Sequence, residues 1–288
     1  MKSKFNDKVC VVTGAASGIG RELAICLAEQ GAKLAISDVN AEGLSETARM
    51  LKELNTEVHS QFLDVADSPS VYSYPDQVLA FFGRIDQLYN NAGISGGGRS
   101  IAETPDTVIK RVMDINLNGV LHMSRAFLPH LSSQPGSVLV NMSSLNGFLA
   151  QPNIAIYCLT KFAVRGLTEA MRADAMLNEQ DIQIVVVHPG GVKTNIASQR
   201  SDELSDESPE VRRQTEAMVK IYQEKFLTYP ARDAALDILR GISKNKTRII
   251  VTQTAKRLDL LVRLLPSAYI SEVVKTLKRV RKSVKGAA

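Results

Sequence analysis

The run Lys8-Val-Cys-Val-Val-Thr13 passes directly into Gly14-Ala-Ala-Ser17-Gly18-Ile19-Gly20, and from residue 21 to 30 Leu23, Ile25, Cys26 and Leu27 take helical spacing. No other stretch limits the fold so tightly. A short, β-branched apolar run without alternation fits a strand buried on both faces of a parallel sheet. The glycines allow the turn unusual backbone angles and let main chain approach a pyrophosphate closely. The first N–H groups of the following helix would face its negative charge. The spacing is Gly-x-x-x-Gly-x-Gly, and a tight strand–helix turn without a ligand stays open as the plain alternative.

The same alternation continues along the chain. A second strand over 33–37 ends at Asp38, followed by a helix over 41–54, a strand over 57–63, Asp64-Val65 and a helix over 69–82. A strand over 85–89 runs into the small-residue bend Asn90-Asn91-Ala92-Gly93, with Gly96-Gly97-Gly98 as a flexible loop beyond it. The spacing then predicts one long helix from about 105 to 131. It carries Asn116 among Ile115, Leu117 and Val120, and an amide in mid-helix needs a partner. A strand over 137–143, a helix reaching about residue 178 and a strand over 182–187 lead to His188-Pro189-Gly190-Gly191-Val192-Lys193-Thr194. Such alternation implies an α/β fold with a doubly wound, largely parallel sheet, whose ligand binds at the carboxyl ends of the strands. The candidate residues all fall at those ends or at the start of the next helix.

At the end of the second strand, the Asp38 carboxylate can accept hydrogen bonds from both hydroxyls of an adenosine ribose. It would repel a 2′-phosphate, and Ser17 in the glycine turn supplies no compensating cation. Both features favour NAD over NADP. A solvent-facing loop acid is the alternative.

Tyr157 and Lys161 stand four apart, so on a helix the phenol and the ammonium share a face. A phenol titrates near pH ~10; a fixed cation beside it favours the phenolate and brings it toward the range useful for acid–base work. Thirteen residues before Tyr157, Ser144 ends a strand-like run and can hold a substrate oxygen against the phenol. Taken alone, Tyr-x-x-x-Lys is more often a surface pair.

Composition narrows the classes. The 288 residues are 44 % hydrophobic and 23 % charged, ordinary for a soluble protein with a sizeable core. Cys10, Cys26 and Cys158 are too scattered for a disulfide framework, which suits a reducing cytoplasm. His59, His122, His130 and His188 lack ligand spacing, so no metal site is expected. The apolar run at 9–12 is too short for a signal peptide, and the uncharged stretch 126–160 is interrupted by Pro, Gln, Asn and Ser, unlike a membrane span. The net charge of +5 is uneven: nine basic residues face only Asp259 and Glu272 between 256 and 288, a tail of +7 on a body of −2. A near-neutral body argues against nucleic acid.

Taken together these motifs resemble the short-chain dehydrogenase/reductase family, over roughly residues 5–252. Thr13-Gly14-x-x-x-Gly18-x-Gly20 matches its cofactor motif and Asn90-Asn91-Ala92-Gly93 its sheet-stabilising motif. Asn116, Ser144, Tyr157 and Lys161 match its catalytic tetrad, and Pro189-Gly190-x-Val192-x-Thr194 the segment beside nicotinamide. Ser143 is a neighbouring hydroxyl, but the family's thirteen-residue separation selects Ser144. The resemblance implies a Rossmann-fold catalytic domain over 1–252 acting on CH–OH groups. Tyr157 would be the acid/base and Ser144 would polarise the same oxygen. Lys161 would tune the tyrosine and hold the nicotinamide ribose, and Asn116 would serve a water relay. Val192 and Thr194 would hold the carboxamide, with Asp64 and Val65 beside adenine. It also implies a homodimer or homotetramer.

Substrate specificity falls to less regular segments. Ser144, Leu145, Leu149, Ile154 and Tyr157 would line an apolar pocket, and residues 195–228 read as a lid. A lipid-, steroid- or terpenoid-like alcohol or ketone is expected, with a 3-oxoacyl thioester as another possibility. A non-catalytic dinucleotide-binding regulator on the same fold is the alternative class, although the intact Tyr and Lys argue against it. The extension 253–288 carries a Leu-rich stretch stopped by Pro266, then apolar residues at helical spacing from Tyr269, with a basic opposite face. It reads either as a helix packed on its own subunit or a dimer interface, or as an interfacial helix lying on anionic membrane.

Overall fold

Every residue of β1 (Val9–Thr13) is buried, with Val9 and Val11 in one apolar cluster and Cys10 and Val12 in another. That two-sided burial explains the unbroken apolar run, because the strand has helices on both faces. The computed structural model describes residues 4–96, 98–194, 196, 224 and 226–285. Within them, seven parallel strands lie in the order β3-β2-β1-β4-β5-β6-β7. The strands are β2 (Lys33–Asp38), β3 (Val58–Phe62), β4 (Gln87–Asn90), β5 (Ser137–Met142), β6 (Ile182–Pro189) and β7 (Arg248–Val251). Strand order reverses between β1 and β4, and a crevice opens there at the carboxyl edge of the sheet.

Helices α1 (Gly18–Ala28), α2 (Ala41–Glu53) and α7 (Ala231–Ser243) cover one face through Leu23, Leu27, Leu51, Ile238 and Leu239. On the other face lie α3 (Ser68–Phe82), α5 (Gly119–Ser132) and α6 (Ala155–Leu177), with Tyr74, Val78, Phe127 and Leu131 in the core. The sequence reading singled out neither α7 nor the four-residue β7.

The long helix expected over 105–131 is not continuous. It consists of α4 (Asp106–Met113), a π turn over Asp114–Asn118 and α5. At the centre of that turn Asn116 is fully buried, and its side chain bonds both ways with one distant residue. Its Nδ2 donates to the Ile94 carbonyl at 2.8 Å, and Ile94 N–H donates to its Oδ1 at 2.8 Å. A widened turn of this kind disrupts the helical ladder, and such turns recur at functional sites.

Beyond β7 the chain forms α8 (Gln253–Leu264), capped by the Thr252 hydroxyl at Ala255 N–H (3.2 Å), and α9 (Tyr269–Lys285). A third apolar cluster joins this extension to the loop after β5: Phe148 and Leu149 pack with Tyr269, Leu258, Leu261, Val262 and Val273. No described helix is long and apolar enough to cross a membrane. The expected lid over 195–228 lies outside the described residues except for Ile196, Glu224 and 226–228.

Candidate active site

Two strand ends build the first wall of the crevice. The Thr13 hydroxyl at the end of β1 accepts hydrogen bonds from the main-chain N–H of Asn91 and of Ala92, both at 3.0 Å. In return Asn91 Nδ2 donates to the carbonyls of Thr13 and Gly14, each at 3.1 Å. This clamp brings the glycine turn against the 91–93 bend so closely that a Cβ on Gly14, whose φ is +67°, would stand 2.8 Å from the Ala92 Cα. Gly18, at φ +56°, differs: a Cβ there would meet only the Thr194 side chain, the nearest atom being 3.1 Å away. Thr194 thus lies close against Gly18 at the start of α1, and even a Cβ there would force its side chain to give way. The N-cap Ser17 makes no side-chain cap and the first turn of α1 carries no acid, which leaves its N–H groups suited to a phosphate. By this test the turn fits the pyrophosphate of a dinucleotide.

Farther along, the Asp38 carboxylate accepts from Ala16 N–H and Asn40 N–H, both at 2.9 Å, which fixes it at the end of β2. The Arg21 guanidinium, which donates to the Ala16 carbonyl, also donates to Thr47 Oγ1 at 2.9 Å and to the Gly43 carbonyl. Exposed Asp64 and buried Val65 follow the end of β3, and Val65 packs on Gly119.

Below the bend sits a buried amide network. Asn90 Nδ2 donates to Ser124 Oγ at 3.1 Å and to Asn141 Oδ1 at 2.8 Å, and Asn141 Nδ2 donates to Thr168 Oγ1 at 3.0 Å. It ties β4, β5, α5 and α6 together beneath the site. Such a network is costly unless satisfied, each orphaned group being worth about 1–3 kcal/mol.

The second wall comes from β5 and α6. Ser143 Oγ donates to the Lys161 carbonyl at 2.8 Å and so serves as a brace between them. Ser144 instead heads a 3₁₀ turn (Leu145–Gly147), its Oγ accepting from Asn146 N–H at 3.1 Å. Tyr157 is half-buried, and Lys161 Nζ lies 5.7 Å from its ring centroid and donates to the Met142 carbonyl at 3.0 Å. Burial holds the Lys161 ammonium at a pKa of about 8. Gly93 separates it from Asn116: a Cβ there would stand 3.2 Å from Asn116 Oδ1 and 3.5 Å from Lys161 Nζ.

Ser144, Tyr157 and Lys161 open into one cavity, together with Ile19, Asn91, Gly93, Leu145, Ile154, Pro189, Gly190, Val192 and Thr194. Of the residues expected at the substrate, Leu149 does not line it. It is fully buried beneath the C-terminal helices, because the 3₁₀ turn carries Phe148 and Leu149 away from the cleft. Asn146, from the loop after Ser144, lines it as well, as do Ile196 and Leu227 from the segment expected to act as a lid. Val192 is held by a bridge to Tyr229, whose carbonyl accepts from Lys193 N–H at 2.8 Å. His188 has no ligand spacing in the sequence that would mark it. It is fully buried directly behind Ser144, with Nδ1 2.8 Å from the Ser144 carbonyl.

The likenesses to known proteins agree with this geometry. The sequence model of the short chain dehydrogenase family matches residues 8–205. The putative oxidoreductase SadH of Mycobacterium tuberculosis is 38 % identical over 267 residues, 93 % of this chain and 94 % of its own. Cyclohexanol dehydrogenase of an Acinetobacter species is 32 % identical over 69 % of this chain and 78 % of its own. Among solved structures, a short chain dehydrogenase/reductase from Burkholderia phymatum in complex with NAD superposes with a TM-score of 0.83. It has 28 % identity and covers 93 % of this chain and 96 % of that one. Levodione reductase follows a similar course, with a TM-score of 0.72 and 28 % identity over 86 % of this chain and 96 % of that one. A parallel sheet whose order reverses above a glycine turn, matched in sequence from β1 onward, makes this chain a member of the short-chain dehydrogenase/reductase family.

Proposed function

We propose that the protein is an NAD(H)-dependent oxidoreductase that interconverts an apolar secondary alcohol and its ketone. The observation that carries this reading is the meeting of Ser144, Tyr157 and Lys161 in one cavity at the carboxyl edge of the sheet. A bound nicotinamide would supply the hydride acceptor or donor. The chain's own residues orient the reactants and move one proton. Tyr157 takes the proton from the alcohol oxygen or returns it, Ser144 holds that oxygen, and Lys161 presents a cation to the phenol. Asn116 keeps the 93–94 bend in place through Ile94 and stands across Gly93 from Lys161. Gly14, Gly18, Gly20 and the start of α1 receive the pyrophosphate, and Pro189 to Thr194 flank the nicotinamide.

Leu145, Ile154, Ile196 and Leu227 give the substrate end of the cavity an apolar lining. The relative that is a cyclohexanol dehydrogenase supports a cyclic or otherwise apolar alcohol. A panel of such alcohols with NAD, and of their ketones with NADH, tests the reading by nicotinamide absorbance. Turnover of at least one apolar pair is expected, and silence across both halves of the panel overturns the proposal.

NAD is preferred over NADP in this reading because the Asp38 carboxylate occupies the place a 2′-phosphate would need. Neither Val39 nor Asn40 is a cation, and Arg21 is committed to α2. The expected kcat/KM ratio is about 10²-fold in favour of NAD, the discrimination that about 3 kcal/mol of like-charge repulsion gives. Asp38→Ala is expected to narrow it. A wild-type advantage for NADP would show that Asp38 has another task.

A homodimer or homotetramer follows from the family resemblance, and the three scattered cysteines suit a cytoplasmic location. The extension adds a peripheral contact with anionic lipid. On the outer face of α8, Leu260 and Leu264 are 57 % and 69 % exposed, beside exposed Lys256, Arg257 and Arg263, and Ile270 on α9 is 50 % exposed. Apolar residues flanked by cations suit an interfacial helix. Full-length protein is expected to sediment with phosphatidylserine-containing vesicles, less so at high salt, and L260E/L264E to remain in the supernatant. Equal sedimentation of the two proteins removes the membrane contact from the proposal.

A further inference from the structure

Behind the catalytic serine a continuous ladder of side chains leads out to the C-terminal extension. The Ser144 carbonyl can only accept, so the His188 nitrogen 2.8 Å from it must be Nδ1–H, the donor of a neutral imidazole. Burial keeps that ring neutral, with its pKa pushed down to about 4. The His188 ring meets the edge of Phe148 at 5.2 Å between centroids and 67° between planes. Over the Phe148 ring, at 5.5 Å, lies the Arg248 guanidinium. Arg248 is held by Asp259 of α8 through two hydrogen bonds, of 2.7 and 3.1 Å, and Asp259 is itself nearly buried, with Arg263 Nε at 3.0 Å from its Oδ2. A second strut runs from α9: the buried Tyr269 hydroxyl accepts from Ala150 N–H at 3.2 Å while its ring packs with Phe148 and Leu149.

Both struts end on the same short segment, 144–150, whose opposite side presents Ser144, Leu145 and Asn146 to the cavity. A loop has few ladder bonds of its own, so it takes its precision from what packs behind it. We propose that Asp259 and Tyr269, on the C-terminal extension, are positioning residues for catalysis. They hold Ser144 at its working position through Arg248, Phe148 and His188 on one side and through Ala150 on the other. The extension is then part of the active-site architecture, although neither residue touches the cavity. This rests on the oxidoreductase reading for its kinetic consequence and on the geometry alone for its structural one.

The test uses the full chain and two mild variants, Asp259→Asn, which keeps shape and removes charge, and Tyr269→Phe, which removes one oxygen and leaves the ring in place. Hydrogen–deuterium exchange of the amides in 144–150 is expected to quicken by about tenfold in each, with exchange in β1 and α1 unchanged. With the best alcohol of the panel, kcat is expected to fall by about tenfold, since small misplacements of a reacting group are costly. The NADH dissociation constant should stay within about twofold, because the glycine turn lies on the other wall of the crevice, and Asp259→Glu should restore part of kcat. A general loss of protein integrity would move NADH affinity and exchange in β1 too. Unchanged exchange in 144–150, or unchanged kcat in both variants, overturns the proposal. If the wild-type protein turns over nothing in the panel while exchange responds as expected, the oxidoreductase reading fails and the buttress stands.

Discussion

Tyr157→Phe is expected to lower turnover by about 10²–10⁴-fold, the usual effect of removing a general acid/base. The phenol is the only titratable side chain beside Ser144 and Lys161 among the described residues lining the cavity. Two other titratable groups nearby are out of reach: the His188 ring sits behind the Ser144 main chain, and the Cys158 thiol is buried with its pKa raised. The substitution leaves the ring and so preserves the packing beside Lys161. NADH affinity is therefore expected to stay within a few-fold, measured by fluorescence titration. The loss should appear in kcat and kcat/KM alike, because an interaction made in the transition state has been removed. Retention of more than about a third of the activity would mean that another group moves the proton.

Much of this arrangement could be read from the chain because it is local. Two-sided burial of β1 shows as an unbroken β-branched run, the glycine turn as closely spaced glycines, and the shared face of Tyr157 and Lys161 as a four-residue interval. Each of these leaves its mark within a few residues of sequence, even where the contacts that complete it come from farther away. What could not be read depends on partners far away in sequence. Asn116 called for a partner, but nothing in its surroundings points to Ile94, and the π turn that accommodates the pair scores as ordinary helix by periodicity. Leu149 looks like a pocket residue beside Leu145. Only the third cluster, which needs Tyr269 and Leu258 from the far end of the chain, turns it inward. The two serines show the boundary well. Ser143 and Ser144 are alike in sequence, and their different uses depend on where the Lys161 carbonyl and the Asn146 amide lie.

Lys161→Met should make the cofactor-free protein more stable at neutral pH. The ammonium is almost wholly buried and donates to the Met142 carbonyl, and desolvation lowers its pKa from 10.5 to about 8. A lowered lysine pKa means that the unfolded chain binds this proton more tightly than the folded one. The penalty is therefore complete below pH 8 and fades as pH rises from 8 to 10.5. At about 1.36 kcal/mol per pKa unit, the cost at pH 7 is about 3 kcal/mol. Losing the hydrogen bond to Met142 takes back about 1 kcal/mol, and methionine fills a volume close to that of the lysine stem. A net gain of about 2 kcal/mol is expected in urea denaturation at pH 7, about 1 kcal/mol smaller at pH 9, with turnover lost at both. A variant less stable than wild type at pH 7, or a gain that does not shrink with rising pH, would show that the ammonium is not held at the expense of the fold. Stability given up at a reacting group is what a site under selection for chemistry should show.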